Sequence, residues 1–247
     1  MAYAFTLADM GSKKITVNRP RKIADSGHQA DSPRVLIVEA AINVFGRFGF
    51  EQATTRMIAK RAKVNLGLLQ YYFGGKEALY MACADHIATQ MEPKLTGLRT
   101  LVESTLPAKD ASFKAQSAAF SRLWTRACGA LLEKSGPSDW LLFVKREQIS
   151  PGKAFDLLYD RLVSHLIEIV SLPVARILGL SAKTDEVMIN TIAILGSILV
   201  FQRIPDIALK TMKWPDLKGE RLEQIKAVLL RQSLYGLRVR RPNRTIE

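Results

Sequence analysis

From Pro33 onward, apolar positions recur at helical spacing almost throughout the chain. Val38, Ala41, Ile42, Phe45 and Phe48 follow i, i+3, i+4, i+7, which is one face of an amphipathic helix. Pro33 suits the first turn of that helix and Gly49 suits a left-handed stop. Thr54 can cap a short second helix that continues through Arg56, Met57, Ile58 and Ala59 to about Ala62. After Lys63-Val64, Asn65 can cap a third, from Leu66 to Tyr72. Gly74-Gly75 then breaks the chain before a longer helix that begins at Lys76. Further helices are punctuated by Met91-Glu92-Pro93, Leu106-Pro107, Gly136-Pro137, Ser150-Pro151-Gly152, Gly179, Pro205 and Trp214-Pro215. No run of alternating β-branched residues and no internal repeat interrupts this pattern. The expected fold is all-α, with a compact three-helix helix-turn-helix unit at 32–80 and a larger helical domain at 81–247.

Residues 1–31 stand apart, because Gly, Ser, Asp, Asn and Pro recur there without a helical stripe. Lys13, Lys14, Arg19, Arg21 and Lys22 outweigh Asp9 and Asp25. The segment reads as a flexible basic arm, either a dispensable tail or an arm that tracks phosphates or enters a minor groove. A second basic tail, Arg238, Arg240, Arg241 and Arg244, lies near the other end.

The whole chain of 247 residues carries a formal charge of +13 with an otherwise ordinary composition, 48% hydrophobic and 24% charged. That excess points to a polyanion, either nucleic acid or an anionic membrane surface. More than half of it lies beyond residue 82, so the total does not locate a site. The longest uncharged run, Val187–Gln202, is short for a membrane span and contains Asn190, Thr191, Ser197 and Gln202. Met1–Met10 carries Asp9 and has neither a basic start nor an apolar run, unlike a secretory signal. Only two cysteines, Cys83 and Cys128, occur, which suits a reducing compartment. A soluble cytoplasmic protein is expected, with no membrane association. His28, His86 and His165 never fall at ligand spacing with a cysteine, so no metal site is expected. No Ser/His/Asp set, glycine-rich phosphate loop or carboxylate cluster supports an enzyme, and no cofactor is implied.

A helix-turn-helix unit reads DNA through the N-terminal residues of its last helix, which reach base edges in the major groove. Here that end is Leu66, Gly67, Leu68 and Gln70. Gln70 can pair with adenine, Leu68 can touch a thymine methyl, and Gly67 lets the backbone come close. Thr54 and Arg56, at the start of the second helix, suit a phosphate, as do the Tyr71 and Tyr72 hydroxyls. Phe73 suits the core. Lys76 sits in the first turn of its helix, against the helix dipole. It is either a solvated charge paired with Glu77 or a later acid, or a phosphate ligand.

The stretch Ile37-Val38-Glu39-Ala40-Ala41-Ile42-Asn43-Val44-Phe45, then Gly49-Phe50, Thr54-Thr55-Arg56-Met57-Ile58-Ala59, Val64-Asn65 and Tyr71-Tyr72-Phe73-Gly74-Gly75-Lys76-Glu77-Ala78-Leu79 resembles the DNA-binding domain of TetR-family transcriptional regulators. The resemblance implies a homodimer on double-stranded operator DNA, with a small-molecule effector in the larger domain that changes DNA affinity. By position it implies DNA contacts at Thr54, Thr55, Arg56, Asn65, Leu66, Gly67, Leu68, Gln70, Tyr71, Tyr72 and Lys76. Two departures stand out. Lys63 occupies a turn position often held by glycine, and Leu66, Leu68 and Gln70 replace the residues usual in the reading helix.

In the larger domain, Arg146-Glu147-Gln148, Pro151, Ala154-Phe155-Asp156, Leu199-Val200-Phe201-Gln202-Arg203 and Trp214 resemble the CecR-type subgroup. Effector pockets are mostly apolar with a few placed polar groups. The candidate lining is Trp124, Phe143 and Phe201, with Trp140 and Phe155 as further walls. Arg126 and Arg146 are the leading polar anchors, beside Arg122, His165 and Gln202, and each of these has a plain core or solvated alternative. Glu147 or a ligand carboxylate can supply the anion that an arginine in an apolar stretch needs. Val187–Phe201 and Leu222–Leu237 are the candidate subunit interface, with Ala193, Gly196 and Ser197 permitting close approach, or else are buried within one subunit. The expectation is a ligand-responsive regulator, most often a repressor, on a pseudo-palindromic operator. The alternative is an architectural DNA-binding protein without a small-molecule response.

Overall fold

A computed structural model describes residues 32–132 and 138–239. The arm at 1–31, the Gly136-Pro137 break and Arg240, Arg241 and Arg244 of the basic tail lie outside the described residues. The helices are α1 (Pro33–Gln52), α2 (Thr55–Ala62), α3 (Leu66–Phe73), α4 (Lys76–Thr105), α5 (Phe113–Leu132), α6 (Ser138–Ile149), α7 (Lys153–Leu158), α8 (Ser164–Leu178), α9 (Asp185–Arg203), α10 (Pro205–Met212) and α11 (Gly219–Val239). A π-helical turn, Tyr159–Val163, joins α7 to α8. Among the described residues there is no strand.

α1 buries Ile37, Val38, Ala41, Ile42 and Phe45 against Ile58 of α2, Leu69 of α3, and Leu79 and Cys83 of α4. Each large apolar side chain so removed from water is worth about 2 kcal/mol. Phe48, expected on the same face, is instead exposed. The helical spacing fails there because Gly49 breaks the helix at φ 78°, and Phe50 turns inward instead, stacked 6.1 Å from Phe45 and edge-on to Tyr80 at 5.0 Å.

The two short helices start at side-chain caps. Thr54 Oγ1 accepts from the Met57 N–H at 3.2 Å, and Asn65 Oδ1 from the Leu68 N–H at 2.7 Å. Each satisfies one orphan donor of a helix N-terminus. Lys63 ends α2 in the left-handed region, φ 56° and ψ 39°, so the turn keeps the geometry that glycine usually supplies.

α4 runs through the expected break at Met91-Glu92-Pro93. Proline cannot donate to the carbonyl one turn back, at Thr89. A brace lies across that turn: Arg161, from the π-helical turn, donates to Thr89 Oγ1 at 3.1 Å, Asp85 Oδ1 at 2.5 Å and Glu92 Oε1 at 2.7 Å. α4 therefore belongs to both halves of the molecule. A second core joins Phe120, Trp124 and Cys128 of α5 to Val174 and Ile177 of α8, Ile194 and Ile198 of α9, and Ile225 and Leu229 of α11. α6 turns back to pack along α1, and its Phe143 lies inside the first core.

Candidate DNA-binding surface and internal cavity

α3 separates its residues by face. Leu69 is fully buried, while Leu66, Gly67, Gln70 and Tyr71 look outward, Tyr71 at 73% exposure. These four fall at i, i+1, i+4 and i+5, one side of a helix. Tyr72 is exposed beside Tyr71, the rings edge-on at 5.4 Å. Leu68 is half-buried against the first core and offers only an edge. Thr54, Arg56 and Asn65 are exposed and Thr55 is half-exposed. Lys60, missed in the sequence, repeats the exposure of Arg56 along α2 at i+4, and Lys63, also missed, is exposed at the left-handed residue that ends the helix. The i+4 spacing was the available signal for one basic stripe on the helix.

Beside the capping Thr54 and Asn65, two more of the sequence-predicted contacts have partners within the chain. Gln70 Nε2 donates to the Gly74 carbonyl at 2.6 Å, across the left-handed end of α3. Lys76 Nζ donates to the Glu51 carbonyl at 3.2 Å and stands 4.5 Å from the centre of the Phe50 ring. Its ammonium therefore meets the carboxyl end of α1, which offsets its unfavourable place at the start of α4. Glu77 pairs instead with Lys153 at 2.9 Å.

Behind this surface, α1 is held by polar contacts from α4 and α6. Glu39 bonds His86 Nε2 at 2.9 Å and accepts from Trp140 Nε1 at 3.1 Å. The His86 hydrogen bond is the main reason the Glu39 carboxyl titrates below its ordinary range; burial opposes it and Trp140 assists. Asn43 Nδ2 donates to Asp139 Oδ2 at 2.6 Å. Tyr80 donates its hydroxyl to the buried Glu147, and burial together with that carboxylate pushes the phenol pKa up. Burial also raises both thiols, Cys128 to about 12, so neither is set up as a nucleophile.

The larger domain contains a cavity of about 30 Å³ between α4, α5, α8 and α9. All of its lining is apolar, including Leu98, Val102, Phe120, Leu123, Trp124 and Ile198. Of the predicted ligand residues it gathers Trp124 alone. Phe143 sits far forward in the first core, its ring tilted against Tyr80 at 4.8 Å. Arg146 is drawn to α1, donating to the Gly46 and Arg47 carbonyls at 2.7 and 2.5 Å, since backbone oxygens at a helix end attract a cation as a carboxylate does. Arg126 is exposed, and Phe201 packs on the second core without lining the cavity. Ile169 also borders a second hollow, of about 310 Å³, with Glu92, Thr96, Arg99 and His165 on its walls. Among the described residues, no cluster of three His, Cys, Asp or Glu side chains offers a metal site.

The sequence matches two family patterns in order along the chain. Residues 37–83 match the bacterial regulatory proteins of the tetR family, and residues 116–238 match the C-terminal domain of the HTH-type transcriptional dual regulator CecR. The dual regulator CecR of Shigella flexneri is 31% identical over 204 residues, 80% of this chain and 87% of that protein. The chain is a TetR-family transcriptional regulator, with a CecR-type C-terminal domain.

Other relatives separate the two halves of this TetR-family regulator. The transcriptional repressor NicS of Pseudomonas putida is 38% identical, but over 78 residues only, 30% of this chain and 37% of that one. Solved structures share the whole fold at low identity. AibR in complex with isovaleryl coenzyme A and operator DNA superposes with a TM-score of 0.54 at 15% identity, covering 81% of this chain and 97% of AibR. A transcriptional regulator from Rhodococcus sp. Rha1 gives 0.50 at 19%, covering 83% and 97%. The family thus supports the helix-turn-helix as the DNA-binding unit.

Proposed function

We propose that this protein is a cytoplasmic, ligand-responsive repressor that binds a pseudo-palindromic operator as a homodimer. Leu66, Gly67, Gln70 and Tyr71 read base edges; Thr54, Thr55, Arg56, Asn65, Tyr72 and Lys76 hold phosphates or fix the start of a reading helix; Leu68 reaches a base through its exposed edge. The carrying observation is the continuity of α4. It starts under the reading helix at Lys76 and Leu79 and passes, 30 residues in all, to the cavity wall at Leu98 and Val102. A drug-sized ligand needs roughly 300 Å³ or more, so an effector entering this cavity must part α4, α5, α8 and α9. Displacing α4 there tilts the reading head at its other end. AibR, solved with both isovaleryl coenzyme A and operator DNA, supports a two-ligand reading.

A dimer follows from the need to meet successive major grooves about 34 Å apart. Ile189 and Ile192 of α9, at 63% and 56% exposure, and Tyr235 of α11, at 71%, supply an apolar face for the second copy. Asp185–Gln202 of α9 is long and apolar enough to cross a membrane by length and composition. Here Val187, Thr191, Leu195 and Ile198 of that stretch are buried in the protein, which favours the subunit-interface reading of its outer face.

Footprinting across the source genome tests the proposal. Protected two-fold sites one or more helical turns apart are expected, and their affinity falls when the effector is added. A specific complex insensitive to every small molecule tried would instead favour an architectural role.

A further inference from the structure

The effector cavity holds no polar side chain, so a charged group cannot enter it without a large desolvation cost. Its outer wall at Ile169 is shared with the hollow of about 310 Å³ between α4 and α8. Ile169 is thus the partition between an apolar chamber and a polar one. Three facts set the charge of the polar chamber. Its Glu92 carboxylate is already held by Arg161 at 2.7 Å. Its Arg99 guanidinium spends one N–H on Glu168 at 3.1 Å, a pair in which Glu168 is 60% exposed. Such a solvent-exposed pair is weak, so a carboxylate delivered by a buried tail displaces it readily. His165, on the same wall, bonds the Arg161 carbonyl through Nδ1.

On the reading of the cavity as the effector site, we infer that the effector is an amphipathic anion. An aliphatic tail passes Ile169 into the chamber lined by Leu98, Leu123 and Trp124. A carboxylate or phosphate head stays in the outer hollow against the free N–H groups of Arg99. Ile169, common to both linings, is the point at which one ligand reaches both chambers once the helices part.

The test compares four ten-carbon probes below their micelle concentrations: decanoate, decyl phosphate, decanol and decyltrimethylammonium. Thermal melting of the full chain and its affinity for a selected operator are measured with each. Decanoate or decyl phosphate is expected to raise Tm and weaken operator binding at least tenfold, and the stronger of the two identifies the head group. Arg99→Gln should weaken the anion's effect about tenfold and leave any effect of decanol unchanged. Decanol or the ammonium acting as strongly as the anions, or an Arg99→Gln variant that responds like the wild type, overturns the anionic head while leaving the effector site standing. Inaction of all four probes overturns the amphiphile. In that case Ala127→Leu, which pushes a larger side chain into the cavity, decides the underlying reading: altered operator affinity in a folded variant keeps the effector site, and unaltered affinity removes it.

Discussion

The Arg146 guanidinium crosses the end of α1 and donates from Nε to the Gly46 carbonyl at 2.7 Å, with Nη2 on the next carbonyl, Arg47, at 2.5 Å. Both carbonyls lie within one turn of the Gly49 break in α1, and a cation from α6 bridges them. Gly49 makes room for it, since a Cβ at that position would lie 3.0 Å from Arg146 Nη1 on a backbone already at φ 78°. Arg146→Ala is expected to cost about 1–3 kcal/mol of stability, the range for charge-assisted hydrogen bonds. Arg126→Ala, at an exposed position, should change stability by less than about 0.5 kcal/mol. Urea unfolding of both variants checks this; equal midpoints would show that the clamp on α1 contributes nothing.

Lys76 has a local role before any DNA arrives. Its contact with the Glu51 carbonyl and the Phe50 ring orients Nζ at the junction of α1 and α4, beside the reading unit. A phosphate there adds to contacts already favourable to the ammonium. Lys76→Ala should weaken binding to all sequences alike and reduce the slope of log K against log salt by about one. Fluorescence anisotropy across a salt series measures it, and an unchanged slope removes Lys76 from the phosphate contacts.

Gln70 must exchange a partner to read a base. Its amide is bonded to the Gly74 carbonyl, which is exposed and takes water when released. Discrimination is therefore the difference between a base contact and a solvent-replaceable one. Gln70→Ala is expected to relax preference at one position per half-site by roughly 1–3 kcal/mol, with thermal stability nearly unchanged. Selection from a randomised operator library, giving the same consensus for variant and wild type, would exclude that role.

The front of the molecule was legible in the sequence because its signals are local. Thr54 and Asn65 cap the helices they precede, and both caps depend on residues three positions away. The back was not, because its decisive contacts span the chain. Nothing near Arg146 in sequence announces carbonyls a hundred residues earlier, and an arginine in an apolar stretch reads equally as a ligand anchor. Glu147 is its neighbour in sequence, yet it serves Tyr80. Pro93 misled in the opposite direction: a proline is a local stop signal, and the Arg161 brace that accompanies its place inside α4 comes from 68 positions further on. Trp124 does line the cavity, with Phe120 and Ala127 of the same helix beside it.

Lys63 carries the turn of the helix-turn-helix at φ 56°, a conformation that costs an L-residue roughly 1 kcal/mol and glycine almost nothing. Lys63→Gly relieves that cost, partly offset by the greater freedom of glycine in the unfolded chain. A gain of about 0.5 kcal/mol is expected from chemical denaturation. The same variant loses one exposed charge next to Arg56 and Lys60 of α2 and should bind DNA more weakly despite its greater stability. Equal or tighter binding at low salt would remove Lys63 from the phosphate-facing side of α2.

Glu39 makes the joint between α1, α4 and α6 sensitive to acid. Its carboxyl titrates below the ordinary value of 4.5, chiefly because it shares a hydrogen bond with His86, helped by Trp140 and opposed by burial. A depressed folded-state pKa means that the folded protein holds the ionised form more tightly than the unfolded chain does. The contribution is then complete above the unfolded value and is lost as pH falls through 4.5 toward the lower folded value. Glu39→Gln removes this titration while keeping an acceptor for Trp140. Urea midpoints taken from pH 6 downward should fall more steeply for the wild type than for Glu39→Gln once pH passes below about 5. Parallel declines for the two proteins would show that the acid sensitivity of the fold lies in other carboxylates.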